Sequence, residues 1–362
     1  MIIDADAHVE ECTETWKFLD KEFYARRPLP VKIERDTPYG ANNAFWFIDG
    51  EAYPKLAGRG LHTFATPPIS EYAEAKPFSV GAQTLTDIKT RLADMDRMRI
   101  HCQVVFPTLF LTALCDDVGL EAALCRSYNS FMAESCGRSS GRLRYAAVVP
   151  MRDVAESVRE MRRAKSLGAV AVMTLGLVWD KELGHREFFP FYAEAEHLDL
   201  PVCIHFGWGA PGLTELFQTL RNSQFSAGML PVAMGFYSVI SGGAPDEFPR
   251  LRIAFLEAGS EWLPYALHQM ERAWRAGRIP TKQQPKEYLR SGKIFISVEA
   301  DEDINYLLNY IGEDQLVIAS DYPHGDPSHE EDMVGEVEKR TDLPKRVREK
   351  ILGDNPRRLY GI

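Results

Sequence analysis

Apolar residues recur along this chain in two alternating rhythms. Eight short runs, mostly β-branched and aromatic and bounded by polar or turn residues, predict strands at Ile2–Asp6, Gln103–Pro107, Tyr145–Val149, Ala169–Thr174, Val202–His205, Arg252–Glu257, Ile294–Val298 and Leu316–Ser320. Between them the spacing changes to that of helices. Leu85–Met98 brings Ile88, Leu92, Met95 and Met98 near one face. Val154–Leu167 does the same with Val154, Val158, Met161 and Leu167 before Gly168 stops it. Glu187–Leu198 and Glu261–Ala276 read as further helices. Near-continuous apolar strands alternating with helices predict a parallel sheet covered on its outside. Eight such units predict an α/β fold, a (β/α)8 TIM barrel forming one domain over residues 1–362. An open doubly wound sheet is the structural alternative.

Two segments break the rhythm. About 75 residues separate the first strand from the first good helix, far beyond ordinary loop lengths. This stretch, about 12–84, is rich in Pro, Gly and aromatic residues, and it is read as an insertion covering the barrel mouth. Within it FWFIDGEAYP predicts a hairpin turning at Asp-Gly. The second elaboration is Gly207–Gly243. Its apolar part, Ala227–Ile240, predicts either a buried barrel helix or a subunit interface.

Composition narrows the classes. The 362 residues hold 42 Lys+Arg against 52 Asp+Glu, a net charge of −10, and are 45% hydrophobic. That is too apolar for a disordered chain, and the acidic balance argues against a nucleic-acid partner. No apolar run approaches the roughly 20 residues of a membrane span. The start, MIIDADAHVEE, lacks the basic and apolar stretches of a signal peptide. Cys12, Cys102, Cys115, Cys125, Cys136 and Cys203 form no CxxC pair, which predicts buried free thiols and a cytoplasmic location. The expected partners are a small-molecule substrate and either further copies of the chain or a related barrel subunit.

The chemistry sits where the strands end, since barrel sites are built from the C-terminal ends of strands. The first strand ends in Asp6-Ala7-His8, whose i, i+2 spacing puts both side chains on one face. The fifth ends in His205, the sixth in Glu257 and the seventh in Glu299. The eighth ends in Asp321, with His324 following, and Glu11 completes a D-x-H-x-x-E run. Any one of these groups alone reads as an ordinary hydrogen-bonding residue, and Asp301 and Glu302 read as helix N-terminal residues. Together they read differently. Converging carboxylates repel unless a cation intervenes, so Asp6, His8, Glu11, His205, Glu257, Glu299, Asp321 and His324 are the candidate metal ligands.

The order D-x-H on the first strand, His on the fifth and Asp in SDYP on the eighth resembles the amidohydrolase superfamily. More narrowly it resembles the amidohydrolase-2 branch that includes aminocarboxymuconate-semialdehyde decarboxylase. That resemblance implies Asp6, His8, His205 and Asp321 as ligands of a divalent metal: zinc, manganese or iron. The fourth strand, AVAVMTL, offers no lysine for the bridging carbamate of many dinuclear relatives. Family decarboxylases carry a His at the end of the sixth strand, where this chain has Glu257. The surplus of carboxylate also resembles a small group of dinuclear iron or manganese/iron oxygenases on the same fold.

Three activities follow, in order of expectation. The first is hydrolysis by metal-activated water, with Asp321 as general base and acid and with Glu257 or His324 orienting the substrate. The second is hydroxylation of an aliphatic C–H bond at a dinuclear centre, with Glu257 and His324 holding a second metal. The third is non-oxidative decarboxylation. A silent subunit that keeps its metal is the non-catalytic alternative. Phe206, Trp208, Trp262 and Tyr322 are candidate pocket walls, with Arg59 and His62 available from the insertion for a substrate carboxylate.

Overall fold

The computed structural model describes residues 1–34, 40–53, 66–216, 220–325 and 329–362. Its centre is an eight-stranded parallel sheet whose strands neighbour one another in strict chain order. They are β1 (Ile3–Val9), β2 (Cys102–Pro107), β3 (Leu143–Val148), β4 (Ala171–Leu175), β5 (Val202–His205), β6 (Ile253–Leu256), β7 (Ile294–Val298) and β8 (Leu316–Ile318). That order has no switch point, so the open doubly wound sheet is excluded. The sheet closes through two backbone hydrogen bonds, Asp321 N to Asp6 O at 3.1 Å and His8 N to Tyr322 O at 2.5 Å. The result is a (β/α)8 barrel. All eight predicted strands are present, and β5 and β7 match their predicted bounds.

The strands are short and apolar because both of their faces are covered. β5, β6 and β7 are buried at every position. Helices α1 (Ile88–Arg97), α2 (Val118–Gly137), α3 (Val154–Ser166), α4 (Phe189–His197), α5 (Leu230–Ser241) and α6 (Trp262–Arg275) pack outside. Asp87, Asp117 and Asp153 cap α1, α2 and α3 by accepting backbone N–H groups, each cap contributing about 1 kcal/mol. The long helix α2 escapes the periodicity reading for a physical reason. Twelve of its twenty residues are buried, so it lacks the exposed stripe that marks an amphipathic helix.

The Asp-Gly hairpin forms as predicted. Strands Ala44–Ile48 and Glu51–Tyr53 turn through Asp49 and Gly50, at φ 51° and 88°, the left-handed pair that a two-residue hairpin needs. Leu29–Lys32 adds a third antiparallel strand. Trp16, Trp46, Ile48 and Tyr53 pack against Leu109, Leu114 and Leu120, making a second apolar core between this part of the insertion and the start of α2. Arg59 and His62 lie outside the described residues. Within Ala227–Ile240, Val232, Phe236, Val239 and Ile240 are buried against the barrel, as the helix reading expects. All six cysteines are free thiols. No described helix is long and apolar enough to cross a membrane.

Candidate metal centre

The register between β1 and β2 shifts between Asp4 and Ala7, a bulge just before the strand end. Bulges re-aim the side chains that follow them. Asp6 and His8 emerge on one side, with His8 Nε2 3.4 Å from Asp6 Oδ1. His205 comes from the last position of β5, in register with Leu256 of β6. Glu257 and Asp321 follow their strands in left-handed backbone, both at φ 54°. Non-glycine residues rarely adopt that conformation, and it is concentrated at functional sites.

Two overlapping sets of ligand atoms result. Asp6, His8, His205 and Glu257 form one, and His8, Glu257, Asp321 and His324 form the other, each within 4.8 Å. His205 Nε2 lies 2.9 Å from Asp6 Oδ2 and 3.2 Å from Glu257 Oε2. His8 Nε2 lies 3.2 Å from Glu257 Oε2 and 3.4 Å from Asp321 Oδ1. His324 Nδ1 lies 2.7 Å from Asp321 Oδ1, and its Nε2 lies 2.9 Å from Thr108 Oγ1. The His8 and His324 rings stack at 4.1 Å.

His8 Nδ1 lies 2.9 Å from the carbonyl of Pro107, and His205 Nδ1 lies 2.9 Å from that of Phe206. A carbonyl only accepts, so each Nδ1 is the donor, which leaves each Nε2 as the ring atom turned toward carboxylate oxygens. Burial, helped by nearby His324 and His205, holds His8 well below its usual pKa, so the ring stays neutral. Both Asp6 oxygens and His205 Nε2 are buried without a hydrogen-bond partner among the described residues. Converging lone pairs of this kind fit a divalent metal, which accepts them all.

A cleft of about 380 Å³ adjoins the cluster, lined by Asp6, Glu257, Glu299 and Asp321 and also by Lys339 and Arg340. Among the described residues, neither Glu11 nor Glu299 belongs to either ligand set. β1 ends at Val9, so Glu11 has left the alternation that aims Asp6 and His8. Its Oε2 accepts the N–H of Leu109 at 2.8 Å. Burial pushes the Glu11 carboxyl up to about 8. Glu299 follows β7 and lines the cleft rather than entering the cluster. Phe206, Trp208 and Tyr322 are buried packing groups, and the Tyr322 hydroxyl donates to Asp94 at 2.8 Å. Trp262 is half-buried and its Nε1 donates to the carbonyl of Gly259.

Three residues escaped the sequence reading. Thr108 sits one residue past β2, where the strand-end rule that found the others also points. Arg91 is fully buried on α1 and donates to the carbonyl of His8 at 3.1 and 3.2 Å and to Gln103 at 2.8 Å. Nothing local signals that reach across the fold. Glu302 reads from sequence as a helix-start residue, but Asp303 is the cap there, accepting from Tyr306 N at 3.0 Å.

The family model described as amidohydrolase matches residues 86–362. A 2-amino-3-carboxymuconate-6-semialdehyde decarboxylase from Dictyostelium discoideum is 24% identical over 286 residues, covering 76% of this chain and 77% of its own. Among solved structures, an amidohydrolase from Mycobacterium avium subsp. paratuberculosis is similar with a TM-score of 0.76 at 21% identity, over 99% of both chains. A 5-carboxyvanillate decarboxylase from Novosphingobium aromaticivorans, solved with bound manganese, has a TM-score of 0.66 at 22% identity, over 75% of this chain and 80% of its own.

Proposed function

The chain belongs to the amidohydrolase family, and from that premise we propose that it is a metal-dependent carboxy-lyase acting on a small carboxylate-bearing organic acid. The observation that carries this reading is the buried convergence of unpaired Asp6 oxygens and imidazole lone pairs at one rim of the barrel. The named decarboxylases among the similar proteins favour carbon–carbon cleavage, and manganese in one of them supports a divalent ion at this rim. This reverses the order of the sequence expectations, in which hydrolysis came first.

Asp6, His8, His205 and Glu257 would hold the ion, and Asp321 and His324 form the second set with His8 and Glu257. When bound, it supplies positive charge that holds and polarises the oxygen substituents of the substrate. The chain's own residues handle the proton. Decarboxylation breaks the bond to the carboxylate, releases carbon dioxide and leaves the electron pair on the substrate carbon, which takes one proton. Thr108 Oγ1 lies 2.9 Å from His324 Nε2, and His324 Nδ1 lies 2.7 Å from Asp321 Oδ1; along this line of polar groups Asp321 would deliver that proton. His324 thereby takes over the role that a sixth-strand His serves in family decarboxylases, and Glu257 joins the ligands.

A second reading rests on one specific observation, that the two ligand sets share His8 and Glu257. Six donors exceed the three protein ligands of a catalytic zinc site and suit two harder ions such as iron or manganese, with dioxygen as co-substrate for C–H hydroxylation. One experiment separates the readings. Metal content is measured on protein purified with and without air, and small aromatic and aliphatic carboxylic acids are then assayed for carbon dioxide release and oxygen uptake. Carbon dioxide release with about one metal per chain is expected. Oxygen uptake with about two metals and no carbon dioxide would replace the carboxy-lyase reading with the second.

A further inference from the structure

Where the loops after β6 and β7 meet, one carboxylate collects four hydrogen bonds. Glu302 accepts from Ser260 N at 2.6 Å, Ser260 Oγ at 2.7 Å, Glu261 N at 3.2 Å and Glu299 N at 2.8 Å. The three backbone N–H groups can only donate, so both carboxylate oxygens are engaged as acceptors. The turn carrying Glu302 is held from its other side. Arg340 Nη1 donates to the carbonyls of Ala300 at 2.5 Å and Glu302 at 2.9 Å. The loop is shaped to admit the carboxylate. Gly259 has φ 59°, and a Cβ there would lie 2.9 Å from Glu302 Oε1. The segment Glu257–Ser260 therefore wraps onto Glu302, and Glu257 at its start is the carboxylate shared by both ligand sets.

We propose that Glu302 is a positioning residue for the metal centre, fixing the loop that holds Glu257 between His8 and His205. The inference rests on the reading of that cluster as a metal site and adds a residue that touches neither metal nor substrate. Groups that orient metal ligands typically contribute about 10–100-fold to metal affinity.

The test uses the full chain, stripped with a chelator, and Mn²⁺ as the probe. Mn²⁺ affinity is read from the resonance signal of the free aqueous ion, and urea unfolding of the metal-free protein is followed in parallel. In Glu302→Gln an amide N–H₂ faces backbone N–H groups, so an affinity about 10–100-fold weaker than wild type is expected. Ser260→Ala removes one of the four bonds and should weaken binding by a smaller factor, with folding intact. A Glu302→Gln chain that unfolds more easily yet binds Mn²⁺ as wild type does overturns the proposal, because that is the pattern of a purely structural contact. Should Glu302→Gln fail to fold, Ser260→Ala decides: unchanged affinity overturns the proposal and weakened affinity supports it. Wild type that takes up no Mn²⁺ overturns the metal reading itself, and this inference with it.

Discussion

Replacing Glu11 by Gln should leave metal binding unchanged and make the protein more stable as pH rises. The Glu11 side chain is 2% exposed, its Oε2 accepts one backbone N–H, and its Oε1 is buried with no hydrogen-bond partner among the described residues. Burial dominates and lifts the carboxyl from 4.5 to about 8, the neighbouring Glu10 adding to it and the Leu109 N–H opposing it. Between those pH values the folded chain keeps a proton that the unfolded chain releases. Stability therefore falls as pH rises across this window, by about 1.4 kcal/mol per unit and about 5 kcal/mol in all. Gln does not titrate, so the variant escapes that loss, while every other group changes alike in both proteins. Urea unfolding of the metal-free forms at several pH values from 5 to about 9 isolates the difference. The stability gap, variant minus wild type, should widen up to about pH 8 and then level off. A gap that stays flat, or that turns against Gln as pH rises, refutes the argument. Loss of metal by the variant would instead return Glu11 to the ligands.

Two further perturbations bear on the same rim. Arg91→Met leaves the carbonyl of His8 and the side-chain oxygen of Gln103 unpaired and empties the site 3.7 Å from the Tyr322 ring. It should cost about 3–5 kcal/mol in urea unfolding, and a loss below about 1 kcal/mol would show that water replaces the guanidinium there. Adding Mn²⁺ to chelator-treated protein should raise stability by about 3 kcal/mol at a hundred times its dissociation constant. An unfolding midpoint indifferent to Mn²⁺ would count against the cluster as a metal site.

What the sequence discloses depends on how local the cause is. A strand buried on both faces must be apolar throughout, so Val202–His205 and Ile294–Val298 are readable to the residue. An Asp-Gly pair between apolar strands names its own turn. Helix α2 is hidden because Ser127 donates to the carbonyl of Thr15, and that turn of the insertion covers the side that water would otherwise mark. In the site, Asp6, His8, His205, Glu257 and Asp321 are legible because barrel topology alone brings strand ends together. Glu11 stands outside both sets because β1 has ended before it, so the strand's alternation no longer sets where it points. Glu302 and Arg91 stay silent because their partners, Ser260 and His8, lie 42 and 83 residues away.

The two hydrogen bonds that close the cylinder also impose a timetable on its synthesis. They are made by Asp6, His8, Asp321 and Tyr322, so the first strand emerges from the ribosome long before its second neighbour exists. Until then the cylinder stays open beside Asp6 and His8, and the second ligand set lacks Asp321 and His324. The arrangement around the rim can therefore be completed only after the last strand is translated.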